Sequence, residues 1–510
     1  MRALALELEW HEQQRGIFSV DIASDGTIAT GGQDKRVSLW RLEPDWDQLS
    51  SVTSPATTKS KKQRYLAAQI AARGVRFLDT LEGHAAAVSV VRFDPKDPHR
   101  LVSGADDGYA VLWRYDSAQG KWRLEATLHE HNDMIMDVAW DADGRRLATV
   151  SVDNTVAVWD TTDSSRPRLM LSLREHTNYV QGVAWDPLGT YLCSMGADRL
   201  LRVYEWSVDR KRVVRSIAIS TISRGDHEQE RAPQEDADRS SANNEPKLIR
   251  DEAPLVKDTE SRRIPQQRLF ESQGLLHFFR RLAWSPDGSF FICPAGIVIE
   301  TETETPGELG TCSSRRRSKG AHIFARTNLM VPLLHLGGHK ESVLGARFCP
   351  LRFVRRRGES ELDAEPWRSR LPYRLAFAIY SAHGLYLYDT ETPHPIGAAL
   401  GLHYGAVTDV AWSPDASFIL MASLDGFLSL VWFENPSELG TPYQEPTQVR
   451  HSAEDLITDP ETHSSVIFSA IQTVSFDRDD YHHEAPSPDL DCPLRAETGS
   501  RAEVATGSCA

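Results

Sequence analysis

One pattern of apolar runs and turns occurs three times between His84 and Trp206, and it constrains the chain more than any other feature. Leu81-Glu82-Gly83-His84 leads through Val88-Ser89-Val90-Val91-Arg92-Phe93-Asp94-Pro95 to Ser103-Gly104-Ala105-Asp106-Asp107-Gly108 and closes on Val111-Leu112-Trp113. Glu130-His131 leads through Val138-Ala139-Trp140-Asp141 to Ser151-Val152-Asp153-Asn154 and Val158-Trp159-Asp160. Glu175-His176 leads through Val183-Ala184-Trp185-Asp186-Pro187 to Gly196-Ala197-Asp198-Arg199 and Val203-Tyr204. Each leading His precedes its closing aromatic by 28 or 29 residues, and those aromatics recur every 45 or 46. The apolar runs read as strands buried on both faces. The Asp-containing segments read as hairpin turns, since Asp, Asn and Gly tolerate the backbone angles that such turns need.

This period is that of a β-propeller blade, and the repeats resemble the WD40 type. A blade is a four-stranded sheet that cannot bury both faces alone, so blades stack around a central channel. The WD40 resemblance picks out a four-residue network in each repeat: His84, Ser103, Asp107 and Trp113; His131, Thr149, Asp153 and Trp159; His176, Ser194, Asp198 and Tyr204. An imidazole near a carboxylate and a hydroxyl has the inventory of a nucleophilic triad. Three copies at one period favour a structural brace instead, in which buried polar groups satisfy one another.

Taken in order, the chain is expected to be all-β, a seven-bladed WD40 propeller over residues 1–442 with a disordered acidic tail over 443–510. Leu4 to Trp10 alternates as a strand and is assigned to the last blade, closing the ring. Blade 1 follows with Ile17 to Ile22, Asp34 and Trp40. Disordered insertions are expected at about 43–72, 207–272 and 300–319. In the first, Lys59 to Arg64 reads as a solvated loop, with a nuclear import signal or a phosphate contact as the functional alternative. Asp226 to Glu260 is too polar to order itself, and the third insertion carries Arg315-Arg316-Arg317-Ser318-Lys319. Blade 5 is expected to open with an inner strand from Phe278 to Trp284 and lacks the Asp and Trp anchors. Blade 6 runs from Gly337-Gly338-His339 to Asp389, and blade 7 uses His403, Asp409, Asp425 and Leu428 to Phe433. In the tail, His482-His483 lacks a spaced third metal ligand and reads as solvated.

The formal charge of −15 disfavours a nonspecific DNA binder as a whole and suits a protein that meets basic partners. The six cysteines form no close pair, which points to a reducing compartment without zinc or a disulfide framework. The N-terminal stretch is too short and charged for a secretion signal, and no run is apolar enough to span a bilayer. A soluble, intracellular protein without cofactor or metal is expected.

The irregular blades carry a narrower resemblance. Ser151 to Thr155, Tyr179 to Gly189, Asp198 to Tyr204, Phe278 to Leu282, Ser285 to Gly288, Pro294 to Gly296, Leu371 to Ala378, Leu387 to Thr390 and Asp425 to Pro442 resemble the middle, WD40 subunit of chromatin assembly factor 1. The resemblance covers roughly Leu4 to Pro442, insertions excluded. It implies a noncatalytic nuclear scaffold that joins the large subunit and a small WD40 subunit and helps deposit histones H3–H4 on replicated or repaired DNA. DNA would be met only through the complex, and no membrane is involved. Relatives often dock the anti-silencing histone chaperone through paired arginines in the tail. Here the tail has only the isolated Arg450, Arg478, Arg495 and Arg501, while Arg262-Arg263-Ile264-Pro265 superficially resembles that motif. Tyr179, Gln181, Arg280, Arg281, Tyr373 and Arg374 are the candidate partner-binding residues, with packing between blades as the structural alternative.

Two alternatives share the fold. The WD40 subunit of the replication-independent histone regulator complex usually has a large domain after its propeller, and about 70 residues follow blade 7 here. A generic adaptor, such as a ubiquitin-ligase substrate receptor, often uses an arginine two after a closing Trp-Asp, where this chain has Trp159-Asp160-Thr161-Thr162. An enzyme would need a phosphate loop, a metal-spaced cluster or a nucleophile elbow, and none is apparent.

Overall fold

Each repeat folds into a four-stranded antiparallel sheet whose first strand is the apolar run and whose strands pair in sequence order. The computed structural model describes residues 1–6, 8–52, 70–71, 73–163, 166–207, 212–223, 266–271, 279–302, 314–356, 371–433 and 438–444. Seven such sheets form the blades of a β-propeller. Their inner strands are Ile17–Ile22, Val88–Phe93, Ile135–Trp140, Val180–Trp185, Ala283–Trp284, Val343–Val354 and Val407–Trp412, which define blades 1 to 7. Each inner strand packs on the next, and the seventh returns to the first. Side chains of neighbouring blades interleave between the sheets. Tyr380 and Leu385 of blade 6 share a buried cluster with Trp412 and Met421 of blade 7.

The ring is closed by the N-terminus. Arg2–Leu6 pairs antiparallel with Leu428–Trp432 as the outer strand of blade 7, from Arg2 opposite Trp432 to Leu6 opposite Leu428. The strand is shorter than the expected Leu4 to Trp10. Trp10 turns inward instead, donating its indole N–H to the Leu6 carbonyl at 3.1 Å and meeting Trp40 edge-on at 4.8 Å.

Two kinds of β-bulge repeat around the ring. The first shifts register near the start of the inner strand, between Ile17 and Ser19, Val88 and Val90, Ile135 and Asp137, Val180 and Gly182, Val343 and Gly345, and Val407 and Asp409. Such a bulge adds twist and re-aims a side chain. The second lies before the closing Trp, where the third strand meets the outer one, as between Leu39 and Trp40 or Val158 and Trp159. It brings Phe77 opposite Trp40, Leu124 opposite Trp113 and Leu169 opposite Trp159. These outer residues are exposed, yet Phe77 lies 5.2 Å from Trp40 and roofs it. The turn after the second strand places Lys35, Gly108, Asn154, Arg199 and Gly426 at positive φ, each directly after its Asp.

The edges of the expected insertions are structured. Trp46–Val52 is a helix with Leu49 buried against blade 1, and Ile70 and Ala71 join the same core. Arg212–Ile219 is the outer strand of blade 4, and Thr221–Ser223 forms a ribbon with Gln266–Arg268. Blade 5 strands Phe290–Glu302 and Ser314–Ala325 run through both edges of the third insertion. Lys59 to Arg64, Asp226 to Glu260, the arginine pair at 262–263 and the tail from 445 lie outside the described residues.

The expected inner strand of blade 5 is corrected to Ala283–Trp284 alone. Before it, the backbone bonds sideways to neighbouring blades instead of to its own second strand. Arg280 N–H donates to Gln181 O of blade 4 at 3.1 Å, while Arg281 exchanges bonds of 2.9 and 3.1 Å with Leu344 and Ala346 of blade 6.

Candidate interaction surfaces

The polar networks sit at one face of the ring, where each inner strand begins. His84 Nε2 meets Ser103 Oγ at 2.7 Å, its Nδ1 meets Asp107 at 3.1 Å, and Trp113 Nε1 donates to Ser103 at 2.8 Å. His131, Thr149, Asp153 and Trp159 repeat this arrangement, with Nε2 to Thr149 at 2.7 Å and Nδ1 to Asp153 at 3.3 Å. His176 joins Ser194 at 2.8 Å and Asp198 at 2.9 Å, and Tyr204 is buried in the fourth place. Burial raises the carboxyl pKa of Asp107 and Asp198, but hydrogen bonds from His and backbone N–H outweigh it and hold both below the usual range.

Blade 1 contains a further complete network, in which His11 and Thr30 join the Asp34 and Trp40 already read from the sequence. His11 meets Asp34 at 2.8 Å and Thr30 at 3.0 Å, and Trp40 donates to Thr30 at 3.1 Å. The signal was available, since His11 precedes Trp40 by the same 29 residues as His84 precedes Trp113. Blade 7 keeps only the His403–Asp425 contact, at 3.1 Å.

A second unanticipated cluster occupies the central channel. Asp409 Oδ2 accepts from Ser19 Oγ at 2.7 Å and pairs with Arg92 Nη1 at 2.8 Å. Its Oδ1 lies 3.4 Å from Arg281 Nε and 3.3 Å from Arg347 Nη2. Arg281 also pairs with Asp137 at 2.7 Å. Ser19, Asp137 and Asp409 are the residues re-aimed by the inner bulges. Burial pushes the Asp409 carboxyl up, yet Arg281, Arg92 and Arg347 together hold it well below the carboxylate range. The Asp21 carboxyl is raised, because its burial outweighs the pull of Arg92 and Arg347.

Four of the six candidate partner-binding residues are therefore interior. Gln181, Arg280, Arg281 and Arg374 are buried, and Arg281 belongs to the channel cluster. Tyr179 and Tyr373 are half-buried; Tyr373 donates to Asp287 at 2.8 Å beneath the Arg352 guanidinium. Arg374 pairs with Asp389 at 2.8 Å and donates to Leu439 O, clamping the segment after blade 7. That segment makes an antiparallel bridge to blade 6, Phe353 opposite Pro442. Val354 N–H bonds Thr441 O and Tyr443 N–H bonds Arg352 O, each at 2.8 Å, while Leu439 inserts into the core.

Blade 5 carries a projecting hairpin. Other blades turn just after the second strand, but here Ile297 to Glu302 continues paired with Ser314 to Lys319, on the face that carries the Asp turns. Beside its base lies a groove of about 580 Å³, whose rim includes Thr177, Asn178, Arg199, Ser220, Thr221 and Arg268. Ile297 N–H bonds Leu269 O at 2.7 Å, so the segment beside the groove is tied to the base of the hairpin.

Among the described residues, no group of three or more His, Cys, Asp or Glu could hold a metal ion, and no helix is long and apolar enough to cross a membrane. Cys193, Cys293 and Cys349 are buried free thiols, and burial pushes that of Cys349 up to about 12.

The family model described as the CAF1B/HIR1 beta-propeller domain matches residues 1–238 and 235–439. The chain is 33% identical over 452 residues to the chromatin assembly factor 1 subunit FAS2 homolog of rice, covering 87% of this chain and 75% of that protein. It is 30% identical over 493 residues to a chromatin assembly factor 1 subunit of Gallus gallus, covering 91% and 73%. Protein HIR1 of Yarrowia lipolytica is 24% identical over 461 residues, covering 83% of this chain and 36% of that protein.

Proposed function

Because the chain belongs to the CAF1B/HIR1 β-propeller family, we propose that it is the noncatalytic WD40 scaffold of a chromatin assembly factor 1 complex. In this reading it works in the nucleus, joins a large subunit and a second, small WD40 subunit, and helps deposit histones H3–H4 on DNA during replication and repair. The observation that carries the reading is the grading of similarity, with chromatin assembly factor 1 subunits at 33% and 30% identity against 24% for HIR1. The geometry is compatible with a scaffold. The His and Asp side chains that could suggest catalysis are spent within blades, and the propeller offers rigid faces on which loops can carry binding.

Affinity purification of the full chain from replicating cells tests this. Recovery of a large, charge-rich subunit, a second WD40 protein and H3–H4 is expected. A cullin-linked adaptor, or the replication-independent histone regulator, in their place would overturn it.

A further inference from the structure

We propose that the groove beside blade 4 binds the phosphate of a phosphorylated serine or threonine presented by a peptide. Four segments of the chain meet there. Thr177 and Asn178 follow the leading His176, and Ala197 to Leu200 form the Asp turn of the same blade. Ser220 and Thr221 follow its outer strand, and Arg268 and Phe270 come from the segment that returns toward blade 5. Thr221 is paired directly opposite Arg268 in the short ribbon, which sets their Cβ atoms about 5 Å apart on one face. Arg199 is held at φ +65° by the turn, where its N–H donates to Gly196 O at 3.1 Å.

The two arginines are unusual in this acidic chain. Arg199 and Arg268 line the groove without a carboxylate partner among the described residues. Arg202, nearby on the same blade, shows the ordinary arrangement, with Nη1 2.8 Å from Glu175. Around the arginines stand the hydroxyls of Thr177, Ser220 and Thr221 and the amide of Asn178. The acid in the groove is Asp198, whose carboxylate is already engaged by His176 at 2.9 Å and by the Thr177 and Leu200 N–H groups, each at 3.1 Å. The buried Arg280 lies close enough to Arg199 for the two to repel, and its Nε and Nη1 have no hydrogen-bond partner among the described residues. Glu271, the carboxylate near Arg280, accepts from Ser342 Oγ at 2.8 Å.

This set of groups selects the ligand. A phosphate monoester carries a charge of about −1.5 to −2 at neutral pH and three acceptor oxygens, so it can take two guanidinium groups and several neutral donors at once. A carboxylate has one charge and two oxygens, and it leaves part of the donor set unused. The groove, at about 580 Å³, is far larger than a single phosphate. It falls in the range of pockets that enclose a sizeable ligand, so the residues flanking the phosphate also fit. Ala197, Leu200 and Phe270 supply an apolar wall for them. Two cations at one spot are too few to track a nucleic-acid backbone, where binding rests on many phosphate contacts together.

The test immobilises the purified full chain and offers it three pools of labelled heptapeptides, degenerate except for a central phosphoserine, serine or glutamate. The phosphoserine pool should be retained roughly tenfold better than either of the others. Peptides recovered from it, remeasured one by one by fluorescence anisotropy, should bind roughly tenfold more tightly than free O-phosphoserine competes, since the flanking residues also make contact. Replacing Arg199 and Arg268 together by Gln should weaken these peptides roughly tenfold or more at an unchanged melting temperature. A control variant, K96Q/K121Q, makes the same change in net charge at exposed positions elsewhere and should bind as the parent does. Equal retention of the glutamate or serine pool, parental binding by the groove variant, or equal weakening by the control would each overturn the proposal. Free O-phosphoserine binding as tightly as the peptides would overturn it too, by assigning the groove to a small phosphorylated metabolite.

Discussion

Replacing Asp409 by Asn should be among the most damaging single changes in the propeller. Its carboxylate is fully buried and faces three guanidinium groups, those of Arg92, Arg281 and Arg347. Asp409 is one of the carboxylates that offset these arginines, so its removal leaves an added uncompensated positive charge in the cluster. Breaking a buried pair from one side costs about 3–5 kcal/mol, because the abandoned charge stays desolvated. Ser19 loses an acceptor in the same step. For a body of this size the melting temperature should fall by roughly 4–7 °C. Thermal unfolding of the full chain, read by near-ultraviolet circular dichroism, measures it. A second variant isolates the cause. Arg347 is the least buried of the three arginines, and adding Arg347→Met to Asp409→Asn removes the added positive charge, so the pair should be more stable than the single change by about 1–2 kcal/mol. A single variant within 1 °C of the parent, or a double variant no better than the single, would refute an electrostatic plug.

Two further outcomes follow from local geometry. Gly440 has φ +115°, and a Cβ there would stand 2.6 Å from Arg374 Nη2, so Gly440→Ala should release the bridged segment and cost about 1–3 kcal/mol. Limited proteolysis near residue 440 should accelerate, and an unchanged rate would count against the clamp. His322 and His339 are buried, which lowers each pKa to about 4 from an ordinary 6.5. The unfolded chain therefore takes up these protons first as pH falls, so stability is complete above pH 6.5 and declines toward pH 4, by up to about 3 kcal/mol for each His. Melting temperatures at pH 7, 6 and 5 should fall for the parent and fall less for His339→Gln; parallel curves would contradict the assignment.

The blades were legible because their signal is local. A leading His, a turn Asp and a closing Trp lie within one repeat, and the period of 45 or 46 residues needs no knowledge of neighbours. The channel cluster was not legible in the same way. Arg92 and Asp409 are 317 residues apart and meet only after the ring closes. A hint was present, since a charged residue inside a strand that reads as buried on both faces demands a partner. Arg281 and Arg374 were misplaced for the related reason that arginine at a blade edge looks available until the opposing Asp is known. In blade 5 the backbone bonds to both neighbours, and no strand periodicity can show that. The hairpin was hidden by composition, because Ile297 to Glu302 and Ser314 to Lys319 alternate poorly between apolar and polar residues.

The pairing of Arg2–Leu6 with Leu428–Trp432 also has a consequence in time. The segments lie about 430 residues apart, so at ordinary translation rates of ~5–20 residues per second the first waits roughly 20 to 90 seconds for its partner to leave the ribosome. Until then Leu4 and Leu6 have no sheet to join, and a chain halted before Leu428 can never close. Such a product would hold finished early blades beside an open edge, a ready target for chaperones and proteases, which makes complete synthesis a condition for a sealed ring.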